Sequence, residues 1–135
     1  MFRTALLVSS AFAASAALAQ GAPVATPRGS FTATNSGQPI MPPAGPVQVT
    51  VQTVTFAAGA VLPAHRHPYT RYGYVLSGRI RVDNLGTGQS EVFATGQPVI
   101  EAIGQWHSGT ALEPTTLLVI DQVPPGQGNI EMKPR

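Results

Sequence analysis

From Val47 to Phe56 apolar and polar residues alternate, Val47-Gln-Val-Thr-Val-Gln-Thr-Val-Thr-Phe56, with Val47, Val49 and Val51 on one parity. A period of two is that of a strand with one buried face. This segment is therefore predicted as the first strand, with those three valines turned inward. Ala57-Ala-Gly-Ala60 reads as a turn, and Val61 to His67 as a second extended piece that contains Pro63 and stops at Pro68. Short apolar segments then recur at regular spacing: Tyr72 to Leu76, Arg79 to Asp83, Ser90 to Ala94, Pro98 to Ala102, Trp106 to Leu112 and Thr115 to Val123. Gly, Pro and Asn punctuate them, as turns between strands require. No stretch carries a helical period and no internal repeat is visible. About eight strands in roughly 90 residues are enough to close a barrel around one small ligand. The expected fold is all-β, a single barrel over residues 47–123, with 124–135 as a last strand or a tail.

The N-terminal third has a different texture. Residues 1–19 combine Arg3, an apolar Ala-rich stretch from Ala5 to Leu18 and a small-x-small site at Ala17-Leu18-Ala19. That is the pattern of a Sec-type signal peptide, with Gln20 as the mature N-terminus and a periplasmic or secreted product. Residues 20–46 are rich in Pro, Gly, Ser and Thr and read as an extended arm, with one short strand around Ser30 to Thr34. At 135 residues the chain is one domain long. Eight basic and six acidic residues are scattered without a basic run, so nucleic acid is not an expected partner. With no Cys, thiolate ligation, disulfide chemistry and a Cys nucleophile are excluded.

The chain holds only three histidines, and their spacing carries chemistry. His65 and His67 are two apart on an extended segment, so both rings point to one face and Arg66 to the other. His107 follows the Gly104 turn at the start of another strand, where barrel closure can bring it opposite the pair. Three imidazoles meeting at one point form a metal site with open positions. All-nitrogen ligation suits one divalent transition metal: Fe, Cu, Zn or Ni.

These motifs resemble the cupin family. Gly59, five residues, His65-Arg-His67, three residues, Arg71, six residues and Gly78 follow the first cupin motif. Gly96, five residues, Ala102-Ile-Gly104, two residues, His107, three residues and Ala111 follow the second. The resemblance implies a double-stranded β-helix, or jelly roll, and supports His65, His67 and His107 as metal ligands. It also implies pairing through outer strands, hence a homodimer. Ala102 stands where the family has Pro, Ala111 where it has Asn, and Arg71 where most members place a Glu ligand.

Arg71 changes the expected electrostatics most. Three neutral imidazoles and a divalent ion with Arg71 alongside sum to +3, a repulsion of about 5 kcal/mol at about 6 Å and an effective dielectric near 20. Three resolutions are physically open. Arg71 clamps the carboxylate of an anionic substrate; it pairs with a local acid, Glu101 or Glu91; or the site has lost its metal and binds an acidic ligand alone. Cupins that ligate iron through three His without Glu, the thiol dioxygenases among them, include some that hold the substrate carboxylate with Arg.

The resulting expectation is an exported metal-binding protein acting on a small anionic organic molecule. Dioxygenase-type oxidoreductase chemistry leads, ahead of isomerisation or decarboxylation, and the alternative is a non-catalytic periplasmic binding module. Arg71 and Tyr69 are the candidate catalytic residues. Trp106 is a weaker stacking candidate beside the ligands, Gln105 a candidate partner for His107, and Tyr72 and Tyr74 are expected to face outward.

Overall fold

The computed structural model describes residues 21–135. The predicted export signal therefore lies outside the described residues. Nine strands follow one another: β1 Gln48–Phe56, β2 Val61–Arg66, β3 Arg71–Ser77, β4 Arg79–Asn84, β5 Ser90–Ala94, β6 Pro98–Ile100, β7 His107–Ala111, β8 Thr115–Val123 and β9 Glu131–Met132. They form two sheets, ordered β1-β8-β3-β6 and β5-β4-β7-β2-β9, in which every named strand pair is antiparallel. The sheets face each other as a jelly roll. Among the described residues no helix is long and apolar enough to cross a membrane.

Between the sheets lie Phe56, Val75, Ile80, Val82, Phe93, Val99, Ala111, Leu117 and Val119. The pattern is clearest in β8, where Thr115, Leu117, Val119, Asp121 and Val123 are buried and the residues between them only half so. In β3, Arg71, Gly73 and Val75 point inward, which leaves Tyr72 and Tyr74 on the outer face as alternation predicts.

The first strand departs from the expected face. Its register with β8 sets Val49 against Gln122 and Val51 against Ile120, while Val54 meets Leu117 and Phe56 meets Thr115. The inward parity is therefore the even one. Val54 and Phe56 reach the core, and Val49 and Val51 lie exposed on the outer face. A shift of one residue exchanges the two faces of a strand, and the register with β8, whose buried and half-buried residues alternate along its whole length, sets the parity, not the local run of valines. The arm also forms less than expected: among the described residues its only strand-type pairing is an isolated bridge between Ala33 and Pro39, around a turn at Thr34 to Gln38.

One turn is fixed by sterics. Gly78 joins β3 to β4 at φ +85°, and a Cβ there would lie 2.3 Å from the Pro114 carbonyl oxygen and 2.5 Å from Thr115 Oγ1. Only glycine adopts that conformation freely. Gly78→Ala is expected to lower stability by about 1–3 kcal/mol, read as a shift of the urea midpoint, whereas Gly88→Ala, with φ +75° but no atom within 4 Å, should cost less.

Candidate metal centre

Beyond the apolar core the interior turns polar. Backbone register brings the residues together. Between Leu62 and His65 the pairing of β2 with β7 shifts by one residue, so that His65 stands directly opposite His107. The extra residue falls at Pro63-Ala64, a bulge where proline's missing N–H costs no ladder bond. Without it His65 would face Trp106, and the two rings would point to opposite faces. His67 is one residue past β2, bridged to Ile103, and the Gly104 N–H donates to its carbonyl at 2.8 Å. The His65 ring meets the other two edge on, His67 and His107 are tilted at 48°, and the centroids lie 4.4–5.0 Å apart.

A fourth group joins them. Glu101 follows β6, and its N–H donates to the Arg71 carbonyl at 2.9 Å, one step beyond the Tyr72–Ile100 pair. It therefore sits across the sheet from Arg71. Its Oε2 lies 2.5 Å from His67 Nε2 and 3.1 Å from His107 Nε2. One donor atom from each of His65, His67, Glu101 and His107 falls within 4.8 Å of the others. The expected three-imidazole set thus gains a carboxylate.

The Nδ1 atoms decide what the cluster can do. Each donates to a backbone carbonyl: His65 to Pro63 at 2.7 Å, His67 to Asn129 at 2.5 Å and His107 to Gln105 at 2.9 Å. With a proton held on Nδ1, each neutral ring aims its Nε2 lone pair at the centre of the cluster; His107 Nε2 shares a hydrogen bond with Glu101 Oε2, which a cation at the centre would replace. His67 Nε2 is fully buried and makes no hydrogen bond, although Glu101 Oε2 is close. A buried polar atom left without a hydrogen bond normally costs free energy; a cation at the centre satisfies it. These four side chains therefore fit a metal ion. Burial pushes His65 down to about 4, which keeps it neutral and ready to ligate at pH 7. Burial alone would raise Glu101, but the neighbouring His107 and His67 outweigh it and hold the carboxyl well below its usual range. His107 is lowered by burial and raised more strongly by Glu101, ending above its ordinary value.

Arg71 pairs with Asp121, not with Glu101 or Glu91. The partners face each other across β3 and β8, with Nε to Oδ1 at 2.9 Å and Nη2 to Oδ2 at 2.7 Å. This bidentate geometry is the strong form of the pair. It cancels the charge that made Arg71 costly beside a cation. Asp121 also accepts from Asn129 Nδ2 at 2.6 Å. Arg71, His65, Glu101 and His107 line one cavity of about 40 Å³, room for about three waters. Val54, Phe56, Leu62, Ile80, Val82, Leu117 and Val119 line the rest, with Ser108 and Gly109.

The other candidates lie outside this cavity. Tyr69 donates its hydroxyl to Gln127 Oε1 at 2.8 Å and its backbone N–H to Asn129 Oδ1 at 2.9 Å. Trp106 stacks under the Arg66 guanidinium, 4.7 Å from the ring centroid. Gln105 serves His107 through its backbone carbonyl, while its side chain accepts from Asn84. Sequence reasoning missed Glu101 as a member of the cluster and did not single out Asp121 or Asn129. A signal was present for Asp121: it occupies the inward parity of Leu117, Val119 and Val123, and a carboxylate there needs a partner.

The comparisons agree with this architecture. The Cupin_2 model, described as a cupin domain, matches residues 52–121. Among solved structures, a cupin superfamily protein from Desulfitobacterium hafniense superposes with a TM-score of 0.52 at 14% identity, over 62% of this chain and 74% of that one. An RmlC-like cupin from Shewanella frigidimarina gives 0.51 at 18%, over 58% and 68%. Oxalate decarboxylase from Bacillus subtilis gives 0.54 at 20%, over 62% of this chain and only 23% of that one. At these identities the likeness is one of fold. No curated protein matches the sequence.

Removing one side of a buried ion pair leaves the other charge without compensation. Asp121→Ala is expected to cost about 3–5 kcal/mol in denaturant unfolding, and the double variant Arg71→Met/Asp121→Ala distinctly less. Equal losses in the two would contradict a buried, charged pair.

Proposed function

We propose that this chain, which belongs to the cupin domain family, binds one divalent transition metal through His65, His67, His107 and Glu101 and acts on a small anionic organic molecule. The observation that carries the reading is the set of three Nδ1–carbonyl bonds, which leaves three Nε2 lone pairs and one carboxylate converging. A mixed nitrogen and oxygen set suits iron or manganese better than imidazoles alone, and also accepts zinc, copper or nickel. Arg71 and Asp121 cancel, so a divalent ion with Glu101 carries a net +1, which one monoanion neutralises. The cavity is small and largely apolar, which favours a compact ligand. Arg71 spends Nε and Nη2 on Asp121, and Nη1 makes no hydrogen bond to the described protein. That remaining donor is the natural contact for the ligand's anionic group.

We favour oxygen-dependent oxidation as the reaction, with decarboxylation and isomerisation next. The metal would supply oxygen activation or Lewis acidity at its open positions. Glu101 is the one carboxylate lining the cavity besides the imidazoles, so no separate protein acid or base is at hand, as chemistry centred on the metal allows. That same absence favours a second reading, a carrier of metal or ligand without turnover. Residues 1–19 support export, and metal loading would follow it. We also propose a homodimer through the outer face of the β1-β8-β3-β6 sheet. Val49, Val51 and Leu76 are exposed there beside half-buried Tyr72, Tyr74, Leu118 and Ile120, and apolar area of this kind is ordinarily covered.

Elemental analysis of the mature chain should find about one metal ion per chain, essentially lost in His67→Ala and weakened about 10–100-fold in affinity in Glu101→Gln. Absence of metal after incubation with Fe, Mn, Zn and Cu salts would overturn the reading. Oxygen uptake by the loaded protein with short monocarboxylates separates the enzyme from the carrier. Sedimentation should give a dimer that Val51→Glu dissociates without loss of metal; a monomeric parent would refute the interface.

A further inference from the structure

Residues 129–133 run back over the cluster after a turn containing Pro124, Pro125 and Gly126. His65 pairs with Met132 and Arg66 with Glu131, and the Lys133 N–H donates to the Ala64 carbonyl at 2.9 Å. The segment that carries two imidazoles is thus hydrogen-bonded to the last strand of the chain. The centre of this contact is Asn129, which is buried and uses three atoms at once. Its carbonyl accepts from His67 Nδ1, its Oδ1 accepts from the Tyr69 N–H, and its Nδ2 donates to Asp121 Oδ1. Asp121 is in turn fixed by both forks of Arg71.

We infer that the C-terminal segment is a clasp on the metal centre, and that Asn129 is the positioning residue that fixes the tautomer and direction of His67, anchored by the Arg71–Asp121 pair. Three features make the assignment specific. His65 and His107 take their Nδ1 partners from residues two positions earlier in the chain, Pro63 and Gln105, so their orientation is local. His67 takes its partner from 62 residues away. It is also the fully buried member of the cluster and the one whose Nε2 is sealed from solvent without a hydrogen bond. Finally, the preceding chain is tied by side chains only at exposed contacts, Gln127 Oε1 to the Tyr69 hydroxyl and the Gly126 N–H to Gln48 Oε1, whereas the two side-chain bonds of Asn129 lie in the interior and hold its carbonyl in place. Arg71 accordingly has a use that does not require contact with the metal. Standing where the family motif has a carboxylate ligand, it acts on His67 through Asp121 and Asn129.

This inference rests on the cluster being the metal site, and its test separates the two. Metal affinity is measured by chelator competition with Zn²⁺ for the parent, Asn129→Ala, Asn129→Asp and Glu131→Gln. Both Asn129 variants should bind about 10–100-fold more weakly, Asn129→Asp because a carboxylate can neither donate to Asp121 nor sit beside it without repulsion. Glu131→Gln, which removes an exposed ion pair to Arg66, should match the parent. Imidazole ¹⁵N NMR of the metal-free chain supplies the second readout. The parent should show His67 held as the Nδ1–H tautomer; in Asn129→Ala that signal alone should shift toward a mixture, with His65 and His107 unchanged. General loosening of the fold would move all three. A parent that binds no Zn²⁺ yet shows the His67 shift would overturn the metal site and leave the clasp standing. Parent-like affinity and an unchanged His67 in Asn129→Ala would overturn the clasp.

Discussion

A guanidinium enclosed between two sheets must be neutralised where it lies, because an uncompensated charge there costs several kcal/mol. In this protein Asp121 does so from the neighbouring strand, and the consequences spread through the site. The pair occupies inward positions of β3 and β8. Its carboxylate also holds Asn129, and Asn129 holds His67. One electrostatic requirement in the middle of a sheet thus ties the C-terminal segment to a residue of the cluster.

The same arrangement resolves the charge problem posed by Arg71. Antiparallel pairing of β3 with β6 brings Glu101 across from Arg71, so a carboxylate reaches the cluster from the adjacent strand. Negative charge at the centre, a cancelled pair beside it and three imidazoles with Nδ1 already bound to carbonyls leave a site matched to a cation. Each donor is set before any ion arrives, so little conformational freedom remains to be lost on binding.

The fold was legible because its signals are local. Turns at Gly78, Gly96 and Gly104 and the alternation in β3 and β8 predict strands that form as expected, at boundaries within a residue or two. The first strand shows the limit. Its apolar residues change parity between Val51 and Val54, and nothing within Val47 to Phe56 says which parity faces the core. The register with β8 decides it. The arm likewise contains residues suited to a strand but no long partner, and only the Ala33–Pro39 bridge forms.

By itself the sequence determined an all-β chain with His65, His67 and His107 on elements able to converge, since strand period and turn chemistry depend on near neighbours. Tertiary structure alone decided which acid joins them, which acid neutralises Arg71 and what orients His67. Glu101 lies 34 positions from His67, Asp121 50 from Arg71 and Asn129 62 from His67. Hydrogen bonds and ion pairs act over a few ångströms of space, and separation along the chain carries no record of that distance until the strands are paired.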